Sequence, residues 1–339
     1  MTPAAITYVD TTLRDGDHAL DHQISEQLVD SVATQLAAAR VPIVEVGHGA
    51  GLGGSSVLWG RAHVDDTLLL AAARRAIGDG ASKLMAVLVP GLGTLDHVDA
   101  AAEAQIDVVR VATHCTEADL AIEHIGALRE RGVRAGGFLQ MSHAIPPAEL
   151  AEQAAIMADA GAEVIWIADT AGTMLRDDVR ARVATVGERV GCELGLHMHN
   201  NLGVAVSNTL AGVEEGATWV DGSLGALGAG AGNAPSEVLA VVFERLGIST
   251  GMDAEILLEA AESLVRPAMS VPQIIDRDSV VAGVAGVYAS VLHAAKAFGQ
   301  RYGVETSTVL VEAGRRGVVV GQDDMIEDIT LELRERGER

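Results

Sequence analysis

Two histidines flank a single methionine in His197-Met198-His199, which closes a short run of strand-like residues beginning at Glu193. On an extended strand, side chains two positions apart share a face, with Cα atoms roughly 6.7 Å apart at ~3.3 Å per residue. Two imidazoles presented in this way can chelate one metal ion. A lone buried histidine is more commonly a hydrogen-bonded core residue; the pair at a strand end favours metal. A second polar cluster, Thr12-Leu13-Arg14-Asp15-Gly16-Asp17-His18, follows the apolar stretch Ile6–Val9. Packing alone gives no reason to gather an arginine, two aspartates and a histidine within five residues, although a solvated, capped loop is the bland reading. Asp15 added to His197 and His199 makes two imidazoles and one carboxylate with open coordination positions. That set suits Mn²⁺, Mg²⁺, Co²⁺ or Zn²⁺.

These groups together fit carbon–carbon bond chemistry next to a ketone. A metal ion chelated by the keto oxygen and carboxylate of a 2-oxo acid stabilises the enolate as a Lewis acid. Arg14 offers a fixed guanidinium for the developing oxyanion. His18, as a neutral imidazole, can remove a hydroxyl proton near pH 7. Lysine, needed for a Schiff-base alternative, is confined to Lys83 and Lys296. A third cluster, the glycine-rich Asp221–Pro235, reads equally as an anion-binding loop or a flexible rim. It lacks the compact Gly-x-Gly-x-x-Gly turn of a dinucleotide site.

Short β-branched runs alternate with longer stretches of helical period and can position these clusters. The expected strands are Ile6–Val9, Ile43–Val46, Lys83–Val89, Asp107–Ala112, Arg134–Leu139, Glu163–Ala168, Glu193–Met198 and Thr218–Gly222. Helical stretches lie between them, as in Ser25–Ala39, Pro147–Ala160 and Arg176–Val190. Eight βα units in strict alternation predict an α/β fold, a (β/α)8 TIM barrel, with its polar clusters at the C-terminal strand ends where such barrels place active sites. An open sheet is the structural alternative. After Leu246 no further βα unit follows. Gly251–Leu264 and Val280–Arg301 have helical texture, and the tail closes with alternating Val318–Val320 and Ile326–Leu333. Residues 1–264 are therefore expected to form the barrel, and 265–339 a smaller, mainly helical C-terminal domain.

Composition narrows the partners. The 47 Asp and Glu against 24 Lys and Arg, a formal charge of −23 over 339 residues, would repel phosphate backbones and anionic membranes. Two cysteines, Cys115 and Cys192, are too few for a disulfide framework and are expected to stay reduced. No export signal or apolar run of spanning length is present, so a cytoplasmic location is expected.

The run Asp10–Ala19 resembles the signature of 4-hydroxy-2-oxovalerate aldolases. So do Gly47–Ser56, His197–Asn201 and Val220–Pro235, and Ala285–Ser290 and Gly321–Ile326 are similar to that family's C-terminal domain. The resemblance spans nearly the whole chain. It implies retro-aldol cleavage of 4-hydroxy-2-oxopentanoate to pyruvate and acetaldehyde. It also implies a metal, usually Mn²⁺ with Mg²⁺ or Co²⁺ as alternatives, on Asp15, His197 and His199. By the same resemblance Arg14 stabilises the pyruvate enolate, His18 acts on the C4 hydroxyl, and Tyr288 closes over the aldehyde end. An acylating aldehyde dehydrogenase is the implied partner, and an oligomer is expected.

Four departures surround the substrate. Asp17 stands where relatives usually carry an apolar residue and Asp21 where a basic one is common; both are expected to raise the pKa of His18. Thr170 replaces the usual serine near the pyruvate carboxylate, keeping the hydroxyl and adding a methyl. Ser56–Asp66 lacks the family's aromatic pattern. The rival readings are an acyl-CoA Claisen-type synthase or lyase of the same barrel superfamily and a non-catalytic subunit stabilising a dehydrogenase.

Overall fold

The computed structural model describes residues 5–338. Eight parallel strands close into a barrel in sequence order, with β1 paired to both β2 and β8. They are β1 (Thr7–Leu13), β2 (Ile43–Val46), β3 (Lys83–Leu88), β4 (Val108–His114), β5 (Arg134–Gln140), β6 (Val164–Asp169), β7 (Glu193–Met198) and β8 (Trp219–Gly222). Strands β2 and β7 have the bounds read from the sequence. Strand β1 runs four residues further than its apolar stretch, because Asp10, Thr11 and Thr12 are buried polar residues with internal partners. Thr11 Oγ1 donates to the Gly222 carbonyl, and Asp10 accepts from Thr12 N at 3.0 Å and Ser236 Oγ at 2.5 Å.

Eight helices wrap the barrel: α1 (Glu26–Ala38), α2 (Asp66–Ile77), α3 (Leu95–Glu103), α4 (Ile122–Glu130), α5 (Pro147–Ala160), α6 (Arg176–Arg189), α7 (Ala205–Glu214) and α8 (Ser236–Arg245). Their apolar faces and the outward strand residues form one continuous core of Ala, Val, Leu and Ile. A smaller core fills the barrel itself, from Val9, Met85, Val87, Val108, Phe138, Trp166 and Trp219 among others. The alternation of these two sets along each strand is the period-2 pleat. With few aromatics available, two tryptophans in edge-to-face contact supply much of the interior volume, their ring centroids 5.4 Å apart. Glycines make room for one of them. A Cβ at Gly136 or Gly195 would lie 2.6 Å from the Trp166 ring.

Beyond α8 the chain is helical: α9 (Ala254–Ala260), a π-helical turn at Ala261–Val265, α10 (Arg266–Ala268), α11 (Arg277–Ala285), α12 (Ala289–Tyr302), α13 (Thr306–Arg315) and α14 (Asp323–Glu335). Two sequence expectations change here. The single stretch Val280–Arg301 is two helices bent by 120°, because Gly286 ends α11 in the left-handed region at φ 65°. Ile326–Leu333 is no alternating strand but part of α14. Its buried residues Ile326, Ile329, Thr330 and Leu333 follow the i, i+3, i+4, i+7 spacing of a helix face. Among the described residues no single helix is long and apolar enough to cross a membrane.

The C-terminal helices meet the barrel at its C-terminal mouth. Gly283 of α11 packs on Asn201, Leu202 and the Gly172 carbonyl, where a Cβ would have neighbours at 3.1 to 3.3 Å. Asp21, in the loop after β1, acts electrostatically on His293 of α12.

Candidate metal centre and its surroundings

Strand β7 carries His197 to the barrel interior, and His199 follows just past its end. The two Nε2 atoms face each other at 3.2 Å. Hydrogen-bond partners fix both rings. His197 Nδ1 donates to Asp221 Oδ2 at 2.8 Å, and His199 Nδ1 lies 3.3 Å from the Ala229 carbonyl. A carboxylate and a carbonyl can only accept, so each Nδ1 carries the hydrogen, and in the neutral ring Nε2 is left with a lone pair. Burial holds His199 neutral, lowering its pKa from 6.5 to about 4. Two lone pairs aimed at each other in a buried site repel unless something electrophilic lies near both. The donor chemistry therefore fits a metal ion, and Asp15 completes the set within 4.8 Å of both histidines.

Asp15 is buried and ionised. Desolvation opposes its charge, but Arg14 and the histidines outweigh it and hold the carboxyl well below its usual range. Its Oδ1 accepts from Arg14 Nη1 at 2.6 Å, and its Oδ2 from Asn233 Nδ2 at 2.7 Å. Gly228 permits that approach, since a Cβ there would lie 2.7 Å from Asp15 Oδ2.

Arg14 is anchored on one side and open on the other. Its Nε donates to Glu45 Oε2 at 2.7 Å, and its Nη1 is held by Asp15. Its Nη2 makes no hydrogen bond among the described residues and is the donor left for a ligand. Below it, Arg110 bridges Glu45 and Asp221, with Nη2 2.7 Å from Glu45 Oε2 and Nη1 2.5 Å from Asp221 Oδ2. Its guanidinium carbon also sits 4.5 Å from the Phe138 ring centroid. An alternating chain Arg14–Glu45–Arg110–Asp221–His197 thus crosses the barrel and links the open guanidinium to a candidate ligand. Sequence reasoning missed Glu45, Arg110 and Asp221 as functional supports. The available signal was a charge inside each apolar run, Ile43-Val44-Glu45-Val46 and Val108-Val109-Arg110-Val111.

His18 stands in the 3₁₀ turn Asp15–Leu20, its ring against Gly49, where a Cβ would lie 2.8 Å away. The expected rise in its pKa does not occur. Although part of its surface stays open, desolvation dominates and lowers the value from 6.5 to about 4, against smaller opposing effects of Asp15 and Asp17. Asp17 is directed elsewhere: it accepts from His22 Nδ1 at 2.9 Å and Gly49 N at 3.1 Å, fastening the turn to the loop after β2. Asp21 is exposed and not among the groups that perturb His18. Asp17, His22 and His48 also cluster closely enough to suggest a second metal site. His48 has no nitrogen left for one, as Nδ1 accepts from Ala50 N at 3.1 Å and Nε2 meets the Gly60 carbonyl at 3.0 Å.

Thr170 lies just past β6, and its Oγ1 accepts from Met141 N at 2.9 Å, leaving the hydroxyl hydrogen available. Tyr288 is buried at the start of α12. Burial, then Cys115 and Glu117 after β4, raise its pKa above the usual value; none of these groups belongs to the Asp15–His197–His199 cluster.

The fold and this donor set define a class, the HMGL-like barrel, whose family model matches residues 5–264; a DmpG-like communication domain matches residues 273–335. A 4-hydroxy-2-oxovalerate aldolase of Thermomicrobium roseum is 47% identical over 336 residues, 99% of this chain and 93% of the relative. One of Geobacillus thermodenitrificans is 46% identical over 329 residues, 97% of this chain and 95% of the relative. The chain belongs to the 4-hydroxy-2-oxovalerate aldolase family. The carboxyl transferase domain of Rhizobium etli pyruvate carboxylase superposes with a TM-score of 0.81 at 17% identity, over 99% of this chain and 61% of that one, a likeness of fold.

Proposed function

We propose that this chain is a divalent-metal-dependent aldolase that reversibly cleaves 4-hydroxy-2-oxopentanoate, or a related 4-hydroxy-2-oxo acid, to pyruvate and an aldehyde. The observation that carries the reading is the pair of facing Nε2 atoms beside Asp15, next to the uncommitted Nη2 of Arg14. Asp15, His197 and His199 are the ligands, and Mn²⁺ is the first choice, with Mg²⁺ or Co²⁺ as alternatives. The ion would supply Lewis acidity to the keto oxygen of the 2-oxo acid.

The chain's own residues do the rest. Arg14, held rigid by Glu45 and Asp15, directs Nη2 at the oxyanion that develops on the keto oxygen. His18, neutral at pH 7, takes the proton of the C4 hydroxyl. The C3–C4 bond then breaks, its electron pair passes to C3 as the enolate, and the C4 oxygen becomes the aldehyde carbonyl. Protonation at C3 gives pyruvate. Thr170 offers its hydroxyl to the pyruvate carboxylate, and Tyr288 bounds the aldehyde end. The catalytic barrel is read as ending near Leu264. The C-terminal helices serve a partner, for which an acylating aldehyde dehydrogenase is the fitting class because the product aldehyde is volatile and reactive.

The test is cleavage by metal-stripped protein supplemented with Mn²⁺, Mg²⁺ or Co²⁺, with pyruvate detected by lactate dehydrogenase. Pyruvate release that chelation abolishes is expected. Acetyl-CoA-dependent condensation without pyruvate release would sink the aldolase reading.

A further inference from the structure

Gln273 lies in the irregular stretch between α10 and α11 and is the first residue of the communication-domain match. Its side-chain amide donates twice, to the Gly228 carbonyl at 3.0 Å and the Gly230 carbonyl at 2.7 Å. Between them stands Ala229, which touches two of the three proposed ligands. Its N–H lies 3.4 Å from Asp15 Oδ2, and its carbonyl meets His199 Nδ1 at 3.3 Å. The Gln273 stem covers Gly232 as well, where a Cβ would lie 2.8 Å from its Cγ.

The segment so held has little to support it from within. Gly228–Gly232 alternates Gly and Ala, and Gly230 and Gly232 adopt φ of 66° and 87°. Such a chain loses much conformational entropy on ordering and has little side chain to pack. One hydrogen bond lies within it, from Gly232 N to the Ala229 carbonyl at 3.1 Å, and its other anchors come from outside. Asn201 anchors it from the barrel, through Ala231 N to Oδ1 at 2.8 Å. Gln273 anchors it from the C-terminal segment, at the carbonyls of the two residues that flank Ala229.

We propose that Gln273 is a positioning residue that orients Asp15 and His199 through Ala229, and so couples the C-terminal helices to the metal centre. This rests on the assignment of Asp15, His197 and His199 as ligands. Partners of metal ligands fix ring orientation and ligand basicity. Movement of the stretch before α11 therefore changes the metal site without touching a ligand.

The test is Mn²⁺ titration of the metal-stripped full chain followed by electron paramagnetic resonance, with Gln273→Ala and Gln273→Glu beside the wild type. The glutamate keeps shape and reach but has no hydrogens for the two carbonyls. Its added negative charge would by itself favour a cation, so weaker binding there isolates the lost anchor. In both variants Kd for Mn²⁺ should rise about three- to tenfold, below the ~10–100-fold typical of direct partners of a ligand, with an altered bound-ion spectrum. A rise under threefold in either variant overturns the inference and leaves the ligand assignment standing. A wild-type chain that binds no stoichiometric Mn²⁺, or whose binding survives His197→Ala and His199→Ala, overturns that assignment and the inference with it.

Discussion

His197 donates its Nδ1 hydrogen to Asp221 across 2.8 Å, and the same carboxylate oxygen takes Arg110 at 2.5 Å. One buried aspartate therefore both fixes the tautomer of a proposed ligand and ties it to the charge chain that ends at Arg14. The Arg110 charge and the hydrogen bond from His197 keep Asp221 ionised against burial, with its pKa below the usual value.

Asp221→Asn should separate these roles. The amide keeps the shape but removes the charge that faces Arg110 and sharpens His197 as a ligand. Mn²⁺ affinity should fall about 10-fold or more. Folding stability should fall by about 3 kcal/mol or more, because Arg110 loses one of its two buried carboxylates. Calorimetric metal titration and denaturant melts check both. Unchanged affinity would contradict the tautomer argument.

Arg14→Ala should lower kcat by about 10²–10³-fold, the usual effect of removing an oxyanion donor. Glu45 stays paired with Arg110, and Asp15 keeps Asn233, so Mn²⁺ Kd should move by less than about tenfold. Steady-state kinetics beside metal titration distinguishes the two. Retained turnover removes Arg14 from the mechanism.

The lowered pKa of His18, about 4, has a direct kinetic reading. Its neutral form is the base, so activity should persist well below pH 6.5 before that base protonates. Comparing pH–rate profiles of wild type and His18→Asn isolates its limb from metal loss. An acidic limb near 6.5 or above that vanishes in the variant would show that burial does not govern this ring.

Asp10 allows a stability test away from the metal. Burial raises its pKa from 3.8 to about 6. The folded value exceeds the unfolded one, so its contribution is full below about pH 4 and is lost as pH rises through about 6. Asp10→Asn lacks that loss. Denaturant melts at pH 5 and pH 7.5 should show the variant gaining on the wild type at the higher pH. A pH-independent difference would refute it.

The barrel was legible because strand and helix periods are local properties. Glu193–Met198 reads as a strand from six residues, and the His197–His199 spacing follows from the pleat. Asp15 joined them as a carboxylate at the end of β1, brought near by the closure that leaves β8 alone between β1 and β7. What failed locally was decided by competition between effects. Asp17 was expected to charge His18, yet its carboxylate turns to His22 and Gly49, and desolvation sets the ring's pKa.

The sequence by itself determined eight βα units, the facing imidazoles and the family signature, since each is written in neighbouring residues. Only the tertiary structure decided that Glu45, Arg110 and Asp221, separated by 65 and 111 positions, would meet inside one barrel. It alone placed Gln273 on the loop beside Asp15 and His199, through carbonyls 43 and 45 residues away. Backbone carbonyls carry no sequence signature, and buried charges choose their partners by closure of the barrel, so neither relation could be read from the chain in extended form.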